Sequence, residues 1–264
     1  MTLWSRLSPV AFLGLLAVSA CASSDEQSED DIQRGNAARS YLAVGMVRFR
    51  SGNFGTGALI RPNVVLTAGH VAVGSVDRFY YGSPPPGKMA EYQNLPSVKI
   101  VDKALGECYE WGTYKRPATC VGDLDVGLVK LEKAIPDVTP LRMYEGAFEW
   151  LEGALKKQPE TTAVGFGCHT LPDGKQRYEE RRYAKSIFES LTPTQIVVLP
   201  GTGIASGGDS GGPLLYNSFI IGTVRGPNKM TTDGNPCGRA KEEYVRIDRT
   251  REWVKKILAQ WGAL

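Results

Sequence analysis

The string Gly207-Gly208-Asp209-Ser210-Gly211-Gly212-Pro213-Leu214 sets the terms on which this chain can fold. Glycines on both sides of a serine allow a tight backbone in conformations that other residues resist. They also let backbone N–H groups converge beside the hydroxyl, an arrangement suited to a developing oxyanion. The apolar residues after Pro213 read as a strand, so the serine sits in a turn that feeds one. Thirty glycines and sixteen prolines, spread over 264 residues, favour a turn-rich all-β fold over a helical one. Hydrophobic residues make up 42 % of the chain, ample material for a core.

From Ile32 onward short apolar runs alternate with turn residues. Leu42–Phe49, Gly57–Ile60, Val64–Thr67 and Val126–Leu131 are strand-like, with Arg61-Pro62-Asn63 as an intervening turn. Ile135–Tyr144 is looser and suits a connection between halves. Ala163–Gly167, Gln195–Leu199, Pro213–Tyr216, Phe219–Val224 and Tyr244–Ile247 then repeat the short-strand pattern. After Asp248 and Thr250, both suitable N-caps, Trp253, Val254, Ile257, Leu258 and Trp261 fall at helical spacing. They predict a C-terminal amphipathic helix over residues 250–264 whose tryptophans are core contacts.

Residues 1–20 read as a targeting segment: Arg6 supplies a positive start, and Leu7–Ala20 is an apolar run too short for the ~20 residues a bilayer span needs. Val18-Ser19-Ala20-Cys21 resembles a bacterial lipobox, which would make Cys21 the lipidated first residue of a membrane-anchored, periplasmic or cell-surface lipoprotein. The alternative is an ordinary secretory signal, with Cys21 incidental. Both readings export the protein. Residues 21–31 are acidic and polar, a flexible tether or propeptide. The formal charge of +3 is small and its cations are scattered, which argues against a nucleic-acid partner. Any membrane association would run through Cys21.

Export changes how the remaining cysteines read. Cys108, Cys120, Cys168 and Cys237 are an even number in an oxidising compartment, and they allow three pairings. Cys108–Cys120 closes a short loop and would leave Cys168–Cys237. With His70 and His169 the only histidines and no CxxC, no metal site or cofactor is expected.

Two further stretches carry chemistry. Val65-Leu66-Thr67-Ala68-Gly69-His70 is a strand ending in small residues that presents an imidazole. An imidazole with an ordinary pKa of ~6.5 can take and return a proton near neutrality. Asp125-Val126-Gly127-Leu128-Val129-Lys130-Leu131 places a carboxylate just before an apolar strand, where it could hold the tautomer of His70. Asp123 competes, since at strand spacing it points to the same face. Asp125 is preferred because it adjoins the apolar run.

Thr67-Ala68-Gly69-His70, Asp125-Val126-Gly127-Leu128 and Gly208-Asp209-Ser210-Gly211-Gly212-Pro213 resemble the three active-site motifs of the chymotrypsin–trypsin family. They occur in the order His, Asp, Ser, which separates the chain from subtilisins and α/β-hydrolases. The resemblance spans Ile32 to the C-terminal helix. It implies an all-β fold of two perpendicular six-stranded antiparallel β-barrels with a C-terminal helix. The peptidase domain would run over 32–264, with barrel one about 32–140, barrel two about 141–249 and the helix about 250–264. It further implies a serine endopeptidase, acting as a monomer on protein or peptide substrates. Ser210 would be nucleophile, His70 general base and Asp125 orienting carboxylate, with the N–H groups of Gly208 and Ser210 as oxyanion hole.

By the same resemblance, Ile32-Gln33-Arg34-Gly35 looks like a degenerate activated N-terminus, with Ala37 and Val44-Gly45-Met46-Val47 following in fitting positions. Cleavage after Asp31 would free an ammonium on Ile32 to pair with Asp209; otherwise Ile32 merely begins the domain and Asp209 finds another partner. The pocket floor falls on Ile204, followed by Ala205, where tryptic members carry an acid. An apolar floor cannot pair Lys or Arg, so apolar or small substrate side chains are expected. The family's cysteine beside the catalytic histidine is absent, because Val71 follows His70. Cys168 and Cys237 would bridge loops flanking the pocket, and His169 is expected to be an exposed loop residue. The rival readings are a catalytically inactive binding domain of the same fold and an esterase using the same triad.

Overall fold

The computed structural model describes residues 36–37, 40–82, 91–109, 124–171, 173–225, 229–230, 237 and 239–264. The targeting segment, Cys21, the tether, Ile32, Cys120 and Asp123 lie outside the described residues.

Six strands form the first barrel: β1 (Val44–Phe49), β2 (Phe54–Arg61), β3 (Val64–Thr67), β4 (Val76–Tyr80), β5 (Ser97–Leu105) and β6 (Gly127–Leu131). They pair antiparallel in the order β1-β2-β3-β6-β5-β4, and β4 closes on β1. Strands alternate their side chains between two faces, and here both faces are apolar. Leu59, Val65 and Val129 point into the barrel with Val47, Phe79 and Val98. Ala58, Ile60, Val64, Leu66 and Leu128 point the other way and share one core with the second barrel.

The second barrel comprises β7 (Glu160–Gly165), β8 (Arg182–Leu191), β9 (Gln195–Pro200), β10 (Pro213–Tyr216), β11 (Phe219–Val224) and β12 (Arg239–Arg246). Its order is β12-β9-β8-β7-β10-β11, antiparallel throughout, and β11 closes on β12. Asn217 and Ser218, at φ 47° and 65°, make the two-residue turn between β10 and β11, whose twist suits a hairpin. Asn36–Ala37 pairs with Tyr183 and Arg182 of β8.

The connection between barrels touches both. The Leu141 N–H donates to the Leu59 carbonyl at 2.8 Å, and the Tyr144 N–H to the Ile220 carbonyl at 2.9 Å. Past it lies an unanticipated helix. Helix α1 is the short turn Gly69–Ala72, and α2 (Phe148–Lys157) buries Phe148, Leu151 and Leu155 on the second barrel. The C-terminal helix α3 spans Ile247–Gln260 and buries Ile247, Thr250, Val254 and Leu258. It starts earlier than Asp248 or Thr250 would set it: Arg246 is the N-cap residue and makes no side-chain cap. Ile247 is already in the core as β12 ends, so packing fixes the start. Trp253 and Trp261 pack half-buried against the same core.

Candidate active site

Strand β3 delivers Thr67 and Ala68 to α1, which carries His70. The backbone N–H of His70 donates to Asp125 Oδ1 at 2.8 Å, and His70 Nδ1 lies 2.6 Å from Asp125 Oδ2. An ionised carboxylate only accepts, so beside one a neutral imidazole carries its ring proton on Nδ1 and its lone pair on Nε2. The Asp125 side chain is 6 % exposed and that of His70 is 24 %, which leaves the imidazole the outward member. Asp125 is thus placed on His70, whereas Asp123 lies outside the described residues.

Ser210 reaches the same place from the second barrel. Its carbonyl accepts the Thr56 N–H at 2.8 Å, and the Thr56 carbonyl accepts the Thr67 hydroxyl at 2.7 Å. Gly211, at φ +85°, is pressed so closely against this strand that a Cβ would lie 2.6 Å from Ala68 N. Only glycine fits there, and the fit seats the Ser210 turn beside the backbone that leads into His70.

Successive carbonyls of the turn are pinned. Gly207 O accepts the Cys168 N–H at 2.8 Å, and Asp209 O accepts the Gly212 N–H at 2.7 Å. Between them, Gly208 O accepts the Thr56 hydroxyl at 2.9 Å. Because every described peptide is trans, C=O and N–H of one peptide plane point opposite ways. The N–H groups of Gly208 and Ser210 are therefore directed away from Cys168 and from Gly212.

Asp209 is 1 % exposed. Its Oδ1 accepts the Gly167 N–H at 2.7 Å; its Oδ2 accepts the Ser206 N–H at 2.7 Å, with the Ser206 hydroxyl at 3.3 Å. A Cβ on Gly165 or Gly167 would collide with this carboxylate. Burial pushes its pKa up to about 6 against the opposing pull of those donors and of the charge on His169. Gly165-Phe166-Gly167 is legible as a motif; its role as a cradle is not, because the cradle is built from N–H groups that any residue carries.

Cys168 and Cys237 form the expected disulfide, Cα atoms 5.2 Å apart. Cys108 is also disulfide-bonded, and its expected partner Cys120 lies outside the described residues. His169 is not an exposed loop residue: it is 1 % exposed, in the two-residue strand His169–Thr170, with Nε2 3.3 Å from Glu180 Oε2. The buried disulfide turns the segment inward and Glu180 receives it. Burial pushes the Glu180 carboxyl up, but the adjacent His169 and the charges of Arg182 and Arg177 outweigh this and hold it below the usual range. Ile204 and Ala205 are buried, Ala205 within the second barrel's core. No cluster of His, Cys, Asp and Glu among the described residues could hold a metal ion, and no helix there is long and apolar enough to cross a membrane.

Two closed antiparallel barrels with a C-terminal helix, meeting where His70, Asp125 and the Ser210 turn lie, define a chymotrypsin-like fold. The Trypsin family model matches residues 32–254, and the chain belongs to that family. Its fold and family are those of serine proteases, hydrolases that act on protein substrates. Similar solved structures include HL collagenase, at 16 % identity and a TM-score of 0.61, covering 84 % of this chain and 95 % of that one. Neuropsin from mouse brain aligns at 18 % identity and a TM-score of 0.59 over 83 % and 96 % of the two chains. Human heparin binding protein aligns at 18 % and 0.58 over 84 % and 93 %.

Proposed function

We propose that the protein is a serine endopeptidase working through His70, Asp125 and Ser210. The observation that carries this reading is the double engagement of Asp125 with His70, at the end of the strand against which Gly211 of the Ser210 turn is pressed. Ser210 Oγ attacks the scissile carbonyl carbon and its proton passes to His70 Nε2. The imidazolium, stabilised by Asp125, gives that proton to the departing amine. Water then attacks the acyl ester with His70 again as base, and Ser210 is released. The oxyanion formed in each half would rest on the N–H groups of Gly208 and Ser210, whose peptide orientation supports this assignment.

Ile204 and Ala205 would form the apolar base of the substrate pocket, selecting apolar or small side chains over Lys and Arg. Cleavage before Ile32 would supply an ammonium for Asp209 and detach the domain from any lipid on Cys21. The reading without cleavage also has an observation in its favour, since both Asp209 oxygens already accept N–H donors.

Peptide-library profiling tests the assignment. The expected result is cleavage after apolar or small residues, lost in Ser210→Ala. A preference for Arg or Lys would overturn the pocket. Turnover of esters without peptides would identify an esterase, and turnover of neither, in folded protein, the inactive binding domain.

A further inference from the structure

Three consecutive N–H groups at the end of β7 hold the Ser210 turn. Phe166 N donates at 3.2 Å to Thr56 Oγ1, which itself donates to Gly208 O. Gly167 N donates to Asp209 Oδ1, and Cys168 N to Gly207 O. The Cys168 carbonyl closes the set by accepting the Ser206 hydroxyl at 2.6 Å. The third donor governs the Gly207–Gly208 peptide, the plane whose N–H the proposed mechanism assigns to the oxyanion. That plane lies between two glycines, whose backbones accept either sense of φ, so little in the local chain opposes its rotation. The Cys168 N–H is what holds it.

Cys168, in turn, is tied across 69 residues to Cys237, just ahead of β12. Both residues are fully buried. We infer that the Cys168–Cys237 disulfide is a positioning device for the oxyanion hole: it keeps Cys168 N on Gly207 O and thereby keeps Gly208 N–H turned toward the reacting centre. Cys168 and Cys237 touch no reacting atom and act through Gly207 and Gly208. A dithiol opens the bond by exchange: it becomes the disulfide, and the two cysteines become thiols. Released in this way, the Gly207–Gly208 plane can turn, and catalysis falls while substrate binding persists. The inference rests on the peptidase reading above.

The Cys168→Ser/Cys237→Ser double variant tests it. Loss of one oxyanion donor predicts a fall in kcat of about 10²–10³ with KM within about twofold, and an equal fall in affinity for a peptide aldehyde, whose adduct carries an oxyanion. Unchanged kcat, or a change in KM alone, overturns the inference whatever the melting temperature. If the double variant fails to fold, the Cys108→Ala chain is folded and then reduced with dithiothreitol. Loss of kcat in step with the release of the Cys168 and Cys237 thiols, counted by alkylating withdrawn samples, and its recovery when oxidised glutathione re-forms the bond in the unalkylated remainder, supports the device; full activity in the reduced, folded chain overturns it. Backbone amide NMR of Gly207 and Gly208 gives a readout independent of turnover. Resonances unmoved by loss of the disulfide count against the device, whereas moved resonances in a protein that cleaves no peptide count against the peptidase reading.

Discussion

Asp209 and Ser210 are sequence neighbours with opposite surroundings: the carboxylate is buried and the serine partly exposed. Ser210, His70 and Asp125 stand out in the sequence because the proposed nucleophile, base and orienting acid each demand a particular side chain. What holds Asp209 does not, since Gly167 and Ser206 serve it through backbone N–H groups. Asp209 also carries a pH prediction. Its folded pKa of about 6 lies above an unfolded value of ~3.9, so its contribution to stability is greatest below about pH 4. It is lost as pH rises through 6, a difference of about 3 kcal/mol. Urea unfolding of the uncut chain, compared with Asp209→Asn, should show the wild-type advantage shrinking by that order between pH 4 and 7. A difference independent of pH would contradict the account. In a chain beginning at Ile32, a paired ammonium would lower the pKa and abolish this slope; the same slope in both forms would argue against the pairing.

Among elements, β3, β10 and β11 follow the sequence pattern residue for residue because each is a short, mostly apolar run without charged residues. Strands β5 and β8 escape it. Half of Ser97–Leu105 faces solvent and carries Lys99, Asp102 and Lys103, and Arg182–Leu191 mixes charge with apolar residues in the same way. Their partners, not their composition, make them strands. Helix α2 hides its periodicity behind an exposed Trp150 that breaks the apolar stripe. Helix α3 is the clearest element, and its buried stripe gives a direct expectation. Leu258→Ala should cost about 2–5 kcal/mol in chemical unfolding, whereas exposed Gln260→Ala should stay within about 0.5 kcal/mol. Equal effects would mean that the helix is not docked as described.

At the scale of the molecule, barrel closure removes free sheet edges, but it depends on register between strands far apart in sequence, which local patterning does not carry. The resemblance supplied the closed barrels, and the pairings of β4 with β1 and β11 with β12 display them. The proposed site depends on that assembly, because Thr56 of the first barrel holds both Gly208 and Ser210 of the second. The central claim is that this junction makes Ser210 a nucleophile. A fluorophosphonate probe tests it most directly, since Ser210 Oγ would displace fluoride only where His70 takes its proton. The account predicts one adduct per folded protein, mapped to Ser210 by mass spectrometry and absent from Ser210→Ala. Folded wild-type protein that takes no label, whether uncut or beginning at Ile32, or a label that persists in Ser210→Ala, would contradict it.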